Sequence, residues 1–135
     1  MNYWLLKSEP STWSWEQQCQ VQSESWDGVR NYQAQNNMKA MAVGDRAFFY
    51  HSIKEKQIVG IVEICKAFYP DPIDTRWGLV DIKAITPLPQ PITLETIKQD
   101  PSLQHLALVR QSRLSVMPID AASWKHLCHL GGLSS

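Results

Sequence analysis

Arg46-Ala47-Phe48-Phe49-Tyr50-His51-Ser52-Ile53-Lys54-Glu55-Lys56-Gln57-Ile58-Val59-Gly60-Ile61-Val62-Glu63-Ile64-Cys65-Lys66-Ala67-Phe68 holds two runs of aliphatic and aromatic residues, 46–50 and 58–68, either side of a polar Lys54-Glu55-Lys56 tip. β-branched and aromatic runs broken by a short polar segment read as two strands of a hairpin. A third such run, Trp77 to Ile85, follows the breaker Pro70-Asp71-Pro72. The stretch therefore predicts three consecutive antiparallel strands. On the N-terminal side, Tyr3 to Lys7 reads as a short buried strand. Ser11 or Ser14 can cap a short helix carrying Trp13, Trp15 and Glu16. Trp26-Asp27-Gly28 is a turn, and Asn31 to Met41 reads as a helix stopped by Val43-Gly44-Asp45. On the C-terminal side, Thr93 caps a helix with Ile92 and Ile97 as a hydrophobic staple. Arg113 to Ile119 reads as a returning strand, and Asp120 caps a last helix stapled by Ile119 and Trp124. The sum is an α+β chain: a curved, mostly antiparallel sheet or small β-barrel with flanking helices.

The chain has 135 residues, the size of one ordinary domain, so a single domain over 1–135 is expected. A hydrophobic share of 44% against 19% charged residues is a globular balance. Thirteen Lys plus Arg against thirteen Asp plus Glu leave no formal net charge, which disfavours wrapping of long nucleic acid by bulk electrostatics. Any nucleic-acid contact should then be local. The apolar run after Met1 ends at Lys7, too short for a signal segment or membrane span, so an intracellular, cytoplasmic monomer with no membrane partner is expected. Cys19, Cys65 and Cys128 form no Cys-x-x-Cys pair and read as reduced structural residues. His126 and His129 lack a third ligand nearby in sequence, so no metal and no cofactor is expected.

Aromatic and polar residues concentrate at three expected element ends: 3–10, 26–32 and 48–52. Strand ends and loops present unpaired backbone groups, which makes them natural binding positions. Trp26, before Asp27-Gly28, is either a pocket wall or a core tryptophan; residue type alone favours the core. Arg30 offers a fork of donors suited to phosphate. Asn31 offers an amide suited to a Watson–Crick edge, or simply a helix cap. An enzymatic reading would use His51 with Ser52 or Ser8, or Asp27. Adjacent strand residues point to opposite faces and neither serine sits in a Gly-x-Ser-x-Gly elbow, so a structural strand end is the better account of 50–52.

These blocks resemble the signature of the EVE domain family. The resemblance runs nearly end to end, through Tyr3 to Pro10, Trp26 to Ala34, Val43-Gly44-Asp45, Phe49-Tyr50-His51-Ser52, Val59-Gly60-Ile61, Trp77 and Arg113-Leu114-Ser115-Val116. It implies a PUA-like small β-barrel with flanking helices, similar to the YTH domain that reads methylated adenine in RNA. It also implies a non-enzymatic module that holds a modified nucleobase of DNA or RNA in an aromatic pocket. Under that resemblance Trp26 becomes a wall, and Lys7 and Ser8 lie beside it. Arg30 and Asn31 lie below, and Tyr50, His51 and Ser52 approach from the opposite strand. Trp77 is a second wall or core, Arg113, Leu114 and Ser115 close the floor, and Arg30, Lys39 and Arg113 face phosphates. A small electrostatic footprint of about two to four phosphates is expected. Two departures stand out. Only Pro72-Ile73-Asp74-Thr75 separates Asp71 from Arg76, which casts a loop-borne lid into doubt. Gln35 replaces a frequent arginine, leaving one charge fewer on a helix expected to face the strand.

Overall fold

The computed structural model describes residues 1–133; the last two residues of the expected 1–135 domain lie outside the described residues. In chain order the elements are β1 (Tyr3–Ser8), α1 (Trp15–Cys19), β2 (Glu24–Ser25), α2 (Tyr32–Lys39), β3 (Arg46–His51), β4 (Gln57–Pro70) and β5 (Gly78–Thr93). Then come α3 (Leu94–Gln99), a 3-10 turn at Pro101–Leu103, α4 (Ala107–Arg110), β6 (Val116–Ile119) and α5 (Ala121–Leu130). The strands form one six-stranded sheet in the order β2-β5-β4-β3-β1-β6. The result is a mixed α+β fold with five α-helices among the described residues.

Within the sheet β1 lies beside β3, paired in parallel from Tyr3 opposite Arg46 to Ser8 opposite His51. Parallel neighbours need a crossover, and α2 lies on the connection between them. Both strands are covered on two sides, which explains why Trp4-Leu5-Leu6 and Ala47-Phe48-Phe49-Tyr50 are continuously buried rather than alternating. The remaining pairs, β1 with β6, β2 with β5, β3 with β4 and β4 with β5, are antiparallel, as expected for β3, β4 and β5, while β2 is a strand the sequence did not announce.

Of the expected curved sheet or small barrel, the structure has an open sheet: among the described residues β2 and β6 are the two ends of the ladder and do not pair with each other. The β4–β5 ribbon also runs further than the expected 58–68 and 77–85. Prolines at 87, 89 and 91 read as breakers in sequence. They are tolerated because β2 pairs with β5 only at Asp81 and Ile82, so distal β5 is an edge that needs few N–H donors. Register shifts between Ile58 and Gly60, Ile61 and Val62, and Ile64 and Lys66 bend the ribbon. The returning strand is shorter than expected, since 113–115 lie outside β6.

Side chains tie the layers together. Ser14, not Ser11, caps α1 in a reciprocal capping box with Gln17. Trp124 of α5 lies between Tyr3 and Phe48, with ring centroids at 4.4 and 4.0 Å. Asp45 is buried at the entry to β3 and accepts from the Trp4 indole (3.1 Å), the Ala42 N–H (3.0 Å) and the Asn2 N–H (3.2 Å). Burial alone would raise its carboxyl, but these donors hold it below the usual carboxylate range. The Val43-Gly44-Asp45 block is therefore a strand anchor.

Candidate binding cleft

A cleft of about 540 Å³ opens where β1, β2 and the turn after β2 meet. Its first wall follows from the end of β1. The Lys7 N–H donates to the Ser115 carbonyl (2.9 Å), and its ammonium donates to the Ser112 carbonyl (3.0 Å). Half-burial lowers the Lys7 pKa. Beyond Ser8 the chain turns tightly, with the N–H groups of Thr12 and Trp13 both donating to the Glu9 carbonyl, and the Ser8 hydroxyl donates to the Trp13 carbonyl. That turn fixes Trp13 in the cleft lining, and its indole N–H donates to Gln18 (2.9 Å).

The second wall is set by β2. Its two residues pair with Ile82 and Asp81 of β5, and the Trp26 N–H continues the ladder to the Val80 carbonyl at 2.8 Å. The Trp26 ring meets Phe49 edge-on, with centroids at 5.7 Å and planes at 77°. Trp26 is thus both: only 8% exposed and packed on the core, yet part of the cleft lining. Gly28, at φ 75°, allows the turn that brings Arg30 back to the rim. The Arg30 guanidinium lies 3.8 Å from the buried Asp71 carboxylate and 5.4 Å from the Trp77 ring centroid. Glu9, Glu24 and Asp27 complete the charged lining.

Of the residues expected to form the site, Lys7, Ser8, Trp26, Arg30 and Ser115 converge on this cleft. Asn31, Arg113 and Leu114 line an adjoining groove instead, and the Asn31 carboxamide oxygen caps α2 by accepting from the Ala34 N–H (2.9 Å). That oxygen is not available for a base edge. Tyr50, His51 and Ser52 are not in the cleft lining. The Tyr50 ring is buried, which pushes its phenol up to about 12. His51 accepts from the Trp15 N–H at Nε2 (3.0 Å) and faces Glu55 through Nδ1 (3.4 Å). Ser52 turns back onto the Ser8 carbonyl. Trp77 is neither a cleft wall nor core: it packs on exposed Tyr32 at 5.2 Å beside Arg30. Lys39 lies over Phe68 at 5.7 Å, away from the cleft.

Two further expectations change. Gln35 is not a surface position facing a strand. It is buried, accepting from the Gly78 N–H (2.9 Å) and donating to the carbonyls of Val29 (3.0 Å) and Gly78 (3.2 Å), so it ties the turn below Trp26 to β5. The short 72–75 segment forms a closed turn, with the Asp71 N–H on the Trp77 carbonyl and Arg76 on Asp74. Trp13 and Glu24 line the cleft although their sequence context does not mark them, and Glu9 joins them from the 3–10 block. Trp13 is legible only as part of a helix, and the helix begins two residues later. The enzymatic constellation is not assembled. The Nε2 lone pair of His51 is occupied by a backbone donor, and the Ser8 hydroxyl proton is directed at Trp13.

An α+β scaffold with a cleft at a central strand end, lined by two tryptophans and five charged residues, defines a ligand-binding domain of mixed aromatic and polar recognition. The chain belongs to the EVE domain family, whose model matches residues 2–130. It is 35% identical to mouse thymocyte nuclear protein 1, over 87% of this chain and 68% of that protein. A crystal structure of a protein from Agrobacterium tumefaciens is similar with a TM-score of 0.95 and 48% identity, covering 98% of this chain and 94% of that one. The human THYN1 protein in complex with 5-methylcytosine-containing DNA is similar with a TM-score of 0.91 and 29% identity, over the whole of both chains.

Proposed function

We propose that this chain is a non-enzymatic reader that takes one modified nucleobase of a DNA or RNA strand into the cleft between Trp13 and Trp26. The observation that carries the reading is that both tryptophans line one cleft and both are held from behind, Trp26 by Phe49 and Trp13 by Gln18. Preorganised aromatic walls return about 1–3 kcal/mol of stacking per base, while drawing a base from a duplex costs a few kcal/mol. The sum is nearly balanced for an ordinary base, so a small modification tips it. One buried methyl is worth about 0.8 kcal/mol, about fourfold in affinity. Lys7, Ser8 and the carboxylates of Glu9, Glu24 and Asp27 supply donors and acceptors for the base edge; a carboxylate suits the exocyclic amine of cytosine.

The similarity to a human protein captured with 5-methylcytosine-containing DNA supports methylated cytosine as the first ligand to test. The bulged β4–β5 ribbon supports a PUA-like sheet that curves without closing. The test is a titration with matched oligonucleotides, methylated and unmethylated, as DNA and as RNA, with the mass of each strand measured afterwards. Tighter binding of a modified strand at unchanged mass is expected. Equal affinity for every strand would overturn base reading, and a mass change would overturn the non-enzymatic assignment.

A further inference from the structure

Next to the cleft lies a second groove of about 320 Å³, whose lining includes Arg110 and Arg113, the amide-bearing Asn31, Gln33 and Gln111, and Ser112. The two hollows share their partition. Arg30 and Ser115 line the cleft, while their chain neighbours Asn31 and Leu114 line the groove. Lys7 joins them, lining the cleft while its ammonium donates to the Ser112 carbonyl of the groove wall.

Their charges differ in kind. The cleft sets Glu9, Glu24 and Asp27 against Lys7 and Arg30, an excess of one negative charge that repels a phosphate. The groove has two arginines and no carboxylate in its lining. Among the described residues neither arginine is held in an ion pair. Arg110 uses Nε on the Gln104 carbonyl (3.3 Å), one of five donors.

We propose that this groove carries the phosphodiester backbone beside the cleft-bound base, with Arg110 and Arg113 as its phosphate contacts. The proposal rests on the nucleobase reading of the cleft and divides the labour: the acidic cleft takes the base, and the groove takes the anion. Guanidinium forks match phosphate oxygens two at a time, and flanking amides add neutral donors. The backbone contribution thus comes from 110–113, and not from Lys39.

The experiment compares the wild-type chain with Arg110→Gln, Arg113→Gln and the double variant. Both residues are exposed, so the variants should fold, as circular dichroism would verify. Three probes are used: a short single-stranded DNA carrying one 5-methylcytosine, the same strand unmethylated, and free 5-methyldeoxycytidine, which has no phosphate. Each substitution should weaken both strands by about fivefold at roughly 0.1 M salt and reduce the log–log salt slope by about 0.7. Affinity for the free nucleoside should not move. Strand affinity and slope unchanged in the double variant would overturn the groove, as would an equal loss for the nucleoside. If the variants weaken both strands but the wild type shows no preference for the methylated one, the groove stands and base reading fails. If the preference holds while the arginines prove silent, base reading stands and the groove fails. A wild type that binds no strand overturns both.

Discussion

The backbone N–H of Trp15 donates to Nε2 of His51 across 3.0 Å, so His51 serves as an acceptor for the first turn of α1. That bond makes Nε2 an acceptor and leaves Nδ1 facing Glu55 at 3.4 Å. His51→Leu should cost about 1–3 kcal/mol of stability, because it strands the buried Trp15 N–H. Urea denaturation measures this. Little effect on stability, or a reaction product that the wild type forms and the variant does not, would overturn the structural role.

Trp15 meets a second constraint from β4. A Cβ on Gly60 would stand 2.5 Å from the Trp15 ring, inside contact distance. The Val59-Gly60-Ile61 block is thus explained by close approach of an indole to bare backbone. Gly60→Ala should destabilise by about 1–3 kcal/mol, the usual cost of overpacking. A melting temperature equal to the wild type's would show that Trp15 can move freely.

The two cleft tryptophans should separate in mutagenesis. Trp13 is half-buried, and Trp13→Ala should weaken a modified oligonucleotide by about 1–3 kcal/mol while leaving the fold largely intact. Trp26 also packs on Phe49, so Trp26→Ala should additionally lose about 3–5 kcal/mol of stability. Parallel binding and unfolding curves check both. Trp13→Ala binding as well as the wild type would remove that wall from the site.

Asp45 should shape the acid limb of stability. Its folded pKa lies below the ordinary value near 3.9, because three donors favour the carboxylate despite burial. The unfolded chain therefore takes up the proton first. The stabilisation is complete above the unfolded value and is lost as pH falls through the folded one. Asp45→Asn should cost about 1–3 kcal/mol at neutral pH, with the gap to wild type narrowing only as pH falls from the ordinary carboxylate range down through the lowered folded value. A gap constant with pH would show that the charge does not matter there.

Much of the fold is legible in local chemistry. Ser14, Asn31, Thr93 and Asp120 all cap helices through their own side chains, since a cap depends on a residue and the next three positions. The apolar runs 46–50 and 58–68 are strands, continuously buried at 47–51 and at 58–62. The same composition leaves Trp26 poised between wall and core, and it is both.

What the chain does not show locally is which element ends meet. Tyr50, His51 and Ser52 read as site residues because they are polar and aromatic at a strand end. Only the parallel register of β1 with β3, and α1 seated over His51, remove them from the cleft. Trp13, Glu9 and Glu24 enter it for the converse reason: a turn and a two-residue strand carry them there through hydrogen bonds to β5 and α1. Sequence alone determined the principal strands and helices, most of their caps and the family, because those depend on neighbours along the chain. Tertiary structure decided the open sheet, the membership of the cleft and the separation of an acidic hollow from a basic one. Those depend on strand order and on contacts between residues tens of positions apart, which no local pattern encodes.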